Sequence, residues 1–555
     1  MPFPDYVPTI PVMLDRVVRQ HGDTTAIVCG GESATYADLA GRSARLARTL
    51  LAHGVGKGDH VGILMPNSVD WAVAYLAVTR IGAVAVPLNT FYRASELGWT
   101  ARHADLSAIL AWPRSAKVDF TATLEAAFDG LSTQVRPGRL RIPSAPYLRT
   151  VFVWGESDRR WATAVVGDST ETGRGPDGVD DDLLAAVESA VVPSDDALII
   201  YTSGSTGDPK GPRHTQGTVV RHTFNLTSVY LVTSDDVLFT SMPFFWVGGL
   251  ITGLHAVMHH GATLVTQEAF DADAAVDLMQ DHRATIALGW PQQGKTLAQS
   301  ATARGSDLSS LRRTSMPALA PDIAPPATGA LNLGMTETCG MHIGADPYVA
   351  QPESRRGTFG QSLDGMTHRI VDPETGVDVG PGVEGEIWVR GVALMQGLYK
   401  FEREETFTPD GYLRTGDAGF ADADGWITYT GRLGDMIKTG SGVNVTPTEV
   451  EAALMGCAGV QEAYVAGVDD PDAGTIVGAA LIAAPGADLD VDAIRTELKS
   501  TLSAYKIPKR VTVVEKAALP FTSTGKIKRR DLAVMLADLA PVGHNTTTEH
   551  ARADH

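Results

Sequence analysis

The run Ala197-Leu198-Ile199-Ile200 empties directly into Tyr201-Thr202-Ser203-Gly204-Ser205-Thr206-Gly207-Asp208-Pro209-Lys210-Gly211. A short apolar run of this kind reads as a buried strand, and a buried strand has to be covered on both faces by other elements. The segment after it is the opposite of a packing element. Glycines let the backbone curl so that several N–H groups converge on one anion, the hydroxyls of Thr202, Ser203, Ser205 and Thr206 add donors, and Lys210 adds a point charge. Thr202, Ser203, Gly204, Ser205, Thr206, Gly207 and Lys210 are therefore read as a polyphosphate grip. It is not a Walker A loop, because Pro209 stands before the lysine and Gly211 after it. A glycine-serine linker has a similar composition, but linkers do not follow buried strands.

Between Thr35 and Leu88 the pattern alternates helix and strand. Thr35 and Asp38 have the spacing of a capping box, and Leu39, Leu46 and Leu50 follow at helical spacing. Val61 to Met65 and Ala83 to Pro87 read as strands, with a buried helix from Trp71 to Val78 between them. This alternation implies a largely parallel, helix-covered sheet. The 555 residues exceed one ordinary core, so a large domain and a smaller one are expected. A formal net charge of -19 argues against a nucleic-acid partner, yet leaves room for a nucleotide in a local basic pocket. Cys29, Cys339 and Cys457 make neither a disulfide framework nor a zinc spacing, which suits reduced thiols in a cytoplasmic setting. Met1 to Pro11 lacks the pattern of a signal peptide, and no segment approaches a membrane span. His259-His260 is read as structural, since adjacent side chains diverge and no third ligand is evident.

Residues 167–182 read as an exposed loop, and Val237 to Leu264 as two apolar segments separated by glycines. Gly431, Gly434, Gly440 and Gly442 crowd together, which places a hinge there. Beyond it, Pro447 to Leu454 begins like a helix, Glu462 to Val468 and Gly478 to Ala483 like strands, and Val491, Ile494, Leu498 and Leu502 mark one helix face. The expected fold is an α/β large N-terminal domain with helix-covered mixed sheets (11–431), a hinge (432–436), a small mobile α+β C-terminal domain (437–540) and a disordered tail (541–555).

Six motifs in order resemble the adenylate-forming (AMP-binding) superfamily, and class I acyl-CoA synthetases in particular. They are TSGSTGDPKG, LGMTET (Leu333 to Thr338), GEIWVRG (Gly385 to Gly391), YLRTGD (Tyr412 to Asp417), GRLGDMIK (Gly431 to Lys438) and PFTSTGKIKRR (Pro520 to Arg530). The resemblance covers nearly the whole chain. It implies that a carboxylate attacks the α-phosphate of ATP to give acyl-AMP and pyrophosphate, and that the thiol of CoA then displaces AMP, with Mg2+ required. Residue by residue it implies Glu337 as the metal ligand, Thr336 at the α-phosphate, Asp417 at a strand end and Arg432 on the ribose, and Gly334 in the AMP site. Lys526 matches the mobile catalytic lysine, and Gly434 falls at the pivot, where relatives carry a charged residue.

The resemblance also places an acyl pocket along Met242 to Gly249. Phe245, Trp246 and Gly248 are its candidate lining, and Trp246 stands where many relatives have histidine. Phe244 reads equally as core. The thiol path of CoA is assigned to Gly442, or alternatively Gly440, in a stretch one residue longer than usual. Leu333 replaces an aromatic residue, so adenine is expected against an aliphatic face. The expected activity is activation of a hydrophobic carboxylic acid and its transfer to CoA. An acyl-AMP ligase, a carrier-protein-loading adenylation enzyme and a non-catalytic nucleotide-binding relative are the alternatives.

Overall fold

The computed structural model describes residues 3–155, 157–165, 179–202, 209–433, 437–445, 447–521 and 527–538. Ser203, Gly204, Ser205, Thr206, Gly207, Gly434, Lys526 and the 541–555 tail lie outside the described residues, and of Arg432 only the backbone is described. The chain divides into two compact units, the first ending at Leu433.

The first unit is built on two sheets. One has eight strands in the order Gly397–Leu398, Pro212–Thr215, Asp196–Ile199, Val84–Pro87, His60–Leu64, Ala108–Ala111, Thr150–Trp154, Ala162–Val165. Every pairing from Asp196–Ile199 outward to Ala162–Val165 is parallel, while the other two are antiparallel, so the sheet is mixed only at one edge. The other has six strands, ordered Arg313–Thr314, Ile286–Leu288, Val237–Thr240, Thr263–Thr266, Thr25–Cys29, Glu32–Thr35.

Between the sheets lies the helix Val69–Arg80, in which Val69 and every residue from Trp71 to Thr79 are buried. Apolar residues all round a helix leave it no solvent face, which is why this segment shows no alternation in sequence. Ser68 caps it by accepting the Trp71 N–H at 3.0 Å. Residues of both sheets, among them Ile63, Leu198, Leu238 and Leu264, join this helix in one core. Ile109, Val151 and Ile199 pack outward on Leu97 and Phe120, and Phe239 and Val265 on Val276 and Leu297. The order is thus helix, sheet, helix, sheet, helix. Each fully buried large side chain contributes roughly 1.5–3 kcal/mol. The expected capping box is present: the Thr35 and Asp38 side chains each accept the other's backbone N–H, at 3.0 and 2.9 Å. The expected loop at 167–182 ends sooner, because Asp180 caps a helix Asp181–Ser189.

Two smaller sheets complete this unit. Met366–Val371, Gly385–Gly391, Leu413–Ala421 and Ile427–Arg432 form an antiparallel one, and Leu333–Met335, Gly340–Gly344 and Gln361–Ser362 the other. The second unit pairs Val460–Asp470 antiparallel to Gly474–Ala483, and that strand parallel to Arg510–Val513. Helices Pro447–Met455 and Val491–Leu498 bury one sheet face, with Val491, Ile494, Leu498 and Leu502 in the core as their spacing predicts. Helix Arg529–Asp538 buries the other through Leu532 and Leu536.

Candidate active site

The segments after the carboxyl ends of parallel strands, the place where open α/β sheets bind ligands, supply Thr202, Lys210, Phe245, Trp246 and Gly248. After Asp196–Ile199 comes Thr202, whose backbone exchanges two hydrogen bonds with Lys210, at 2.8 and 2.9 Å. This bridge closes the neck of the loop that sequence reading assigns to phosphate. The chain then runs into Pro212–Thr215. Buried His214 on that strand donates from Nε2 to the Thr336 carbonyl at 2.8 Å. Burial pushes its pKa down to about 4, so the ring stays neutral and keeps this donor at neutral pH. A second tie runs through Met395 to Tyr399. Met395 N–H donates to the Glu337 carbonyl, Gln396 to Arg213 and Tyr399 to Gly211, each at 2.8 Å. Residues 211–214, which follow the candidate phosphate loop, and the Thr336-Glu337 turn are thereby held as one piece.

Thr336, Glu337 and Thr338 form a single 3-10 turn. Thr338 Oγ1 donates to the Gly340 carbonyl at 2.8 Å, and Cys339, a non-glycine residue, is held at φ +54°. Such left-handed geometry costs of order 1–3 kcal/mol and persists only where neighbours enforce it. Gly334 is exposed, and a Cβ there would lie 2.7 Å from the Gly340 carbonyl oxygen, so the close strand pairing needs glycine. Thr336 and Glu337 are half-buried. Mg2+ is commonly held by one or two carboxylates together with phosphate oxygens, so the hard oxygen donors of this turn fit it.

Two expectations need correction here. Asp417 is not at a strand end but inside Leu413–Ala421, buried, with its N–H donating to Thr415 Oγ1 at 3.0 Å. It stands directly opposite Arg432 on the neighbouring antiparallel strand, which brings the two expected ribose residues to one register position. Leu333 offers adenine no aliphatic face. At 4% exposure it packs with Ile343, Ile370, Ile387 and Ile427 between the two small sheets.

The segment Met242 to Gly249 follows the strand Val237–Thr240. Phe244 is core, fully buried with its ring 5.2 Å from that of Trp71. Phe245 and half-buried Trp246 meet edge to face at 5.0 Å. Phe91, 52% exposed, meets Phe245 at 5.7 Å and Trp246 at 6.3 Å, while Trp290 meets Trp246 at 5.8 Å. Phe91 and Trp290 escaped sequence reading, although each follows the end of a parallel strand. A π-helical turn, Leu250–His255, comes next; such turns recur at functional sites. His259 is structural as its sequence context implies, bonded to Tyr6 and Thr223 at 3.2 and 2.6 Å. In the second unit, Gly440 N–H donates to the Thr475 carbonyl at 2.7 Å and Gly442 is exposed at φ +78°.

The AMP-binding enzyme family matches residues 14–399, and the AMP-binding enzyme C-terminal domain residues 449–526. A feruloyl-CoA synthase of Amycolatopsis sp is 32% identical, over 93% of this chain and 97% of its own. An indoleacetate–CoA ligase of Aromatoleum aromaticum is 30% identical, over 94% and 97%. Among solved structures, the amide bond synthetase McbA of Marinactinospora thermotolerans superimposes with a TM-score of 0.75 at 27% identity, covering 94% of this chain and 99% of that one. The chain belongs to the AMP-binding enzyme family, as an adenylate-forming acid–thiol ligase of the acyl-CoA synthetase type that uses ATP, Mg2+ and CoA.

Proposed function

We propose that the acid activated by this ligase carries a ring. The observation behind this reading is an aromatic cluster in which exposed Phe91 and half-buried Trp246 and Trp290, backed by buried Phe245, offer ring edges and faces to a planar or alicyclic group. Two relatives act, by their names, on ring-bearing acids, ferulate and indoleacetate. In this reading Thr202, Lys210 and the loop between them hold the β- and γ-phosphates. Thr336 donates to the α-phosphate that the carboxylate attacks, and Asp417 with Arg432 fixes the ribose. Glu337 would hold Mg2+, which offsets the charge brought together by carboxylate and polyphosphate. Lys526 is assigned to the adenylation step, 432–436 to the hinge between domains 11–431 and 437–540, and Gly442 or Gly440 to the thiol path, all on the family resemblance. The buried free thiols Cys29, Cys339 and Cys457 support a cytoplasmic location. No helix among the described residues is long and apolar enough to cross a membrane.

The test is acid-dependent pyrophosphate release over a panel of aryl, bicyclic and linear acids, with detection of the CoA thioester as the second readout. Ring-bearing acids are expected to give the highest kcat/KM. A clear preference for linear chains would overturn the ring assignment.

A further inference from the structure

Among the described residues, the acyl-pocket segment is held from below by one side chain that belongs to the other sheet. Asn67 lies between the strand His60–Leu64 and the helix Val69–Arg80, and is only 3% exposed. Its Oδ1 accepts the Phe244 N–H at 2.7 Å. Its Nδ2 donates to the Met242 carbonyl at 3.0 Å and to Thr266 Oγ1 at 3.0 Å. All three bonds are buried; those to Met242 and Phe244 grip the backbone on both sides of Pro243, and the third ties the amide to Thr266. The same loop is closed from above by the next helix: a Cβ on Gly249 would lie 2.3 Å from both the Met242 and Pro243 carbonyl oxygens. Phe245 and Trp246 come immediately after this clamp. Their rings therefore take their place from where the Met242 to Phe244 backbone is held.

We infer that Asn67 is a specificity-determining positioning residue, which sets the depth of the acyl pocket by fixing the backbone beneath Phe245 and Trp246 and touches no substrate itself. An amide suits this position because it alone supplies an acceptor and two donors in one plane at this length, and each buried group that loses its partner costs about 1–3 kcal/mol. Thr266 shares the load, being fully buried on the strand Thr263–Thr266 and holding the second Nδ2 proton.

The inference rests on the reading of Phe245 and Trp246 as pocket lining, and the experiment separates the two. For Asn67→Ala, Thr266→Val and Trp246→Ala, kcat/KM is measured for the best acid of the panel and for its homologue one methylene longer, alongside KM for ATP. Asn67→Ala is expected to narrow the discrimination between the two acids by about 3- to 10-fold, and Thr266→Val to narrow it less, with KM for ATP within about twofold of the parent. If Asn67→Ala does not fold, Thr266→Val, similar in shape and tied to the loop through Asn67, carries the test. An equal fall for both acids, or no change in their ratio, would show that Asn67 merely supports the fold and would overturn the inference. If Trp246→Ala also leaves the ratio unchanged, the pocket assignment itself fails.

Discussion

Gly249→Ala tests the packing of the segment proposed to line the acyl pocket, Met242 to Gly249, with one carbon atom. The added Cβ would sit 2.3 Å from the Met242 and Pro243 carbonyl oxygens and 2.5 Å from the Pro243 carbonyl carbon. Reaching even a 3.0 Å approach requires a displacement of about 0.7 Å, and every atom in the way is backbone. That backbone has little freedom, because Asn67 holds it by bonds of 2.7 and 3.0 Å. Moving it breaks at least one buried hydrogen bond, about 1–3 kcal/mol, and adds overpacking of about 1–3 kcal/mol. Replacing glycine by alanine in a helix returns only about 0.5–1 kcal/mol. The net expectation is a loss of about 1–5 kcal/mol, read as a lower denaturant midpoint at unchanged m. A shift approaching about 1 Å in the pocket wall should lower kcat/KM for the acid by about 10²-fold while KM for ATP changes little. Gly248→Ala is the control, for its Cβ meets the flexible Met242 Sδ at 3.0 Å, and it should cost far less. If Gly249→Ala is as stable as the parent with unchanged acid kinetics, the helix start does not press on this loop and the reasoning is wrong.

Burial holds His214 and His222 at a pKa of about 4, and His255 and His368 at about 3. Below about pH 6.5 the unfolded chain takes up protons that these folded rings refuse, so stability should fall from about pH 6.5 toward about pH 4, by up to about 1.4 kcal/mol per pH unit for each ring. Unfolding midpoints between about pH 8 and about pH 5 check this, and a pH-independent midpoint contradicts it. Glu337→Gln should lower pyrophosphate release about 10²-fold or more with a higher Mg2+ requirement; unchanged Mg2+ dependence would remove Glu337 as the ligand. Lys526→Ala should abolish adenylation and leave thioester formation from supplied acyl-AMP largely intact, measured by assaying the half-reactions separately. Equal loss of both would contradict the division of labour between the two domains.

Local chemistry was legible wherever the reason for a residue is local. The Thr35–Asp38 capping box, the strand ending at Ile199 and the helix face of Val491, Ile494 and Leu498 depend on neighbours within a few positions, so periodicity and spacing reveal them. Leu333 departs from its expected role for the converse reason. Its burial is fixed by Ile343, Ile370, Ile387 and Ile427, which arrive from other strands.

The sequence by itself determined the family and its reaction, because the motifs that carry them are short runs whose chemistry lies in consecutive backbone and side-chain groups. Only the tertiary structure decided that His214 and the Met395 to Tyr399 segment bind residues 211–214 to the Thr336-Glu337 turn. It also set Asp417 across from Arg432, and it assembled the aromatic wall above an asparagine 175 residues before Met242. Contacts between carboxyl ends of strands in two different sheets have no signature in either strand. They exist only once both sheets have closed on the helix Val69–Arg80.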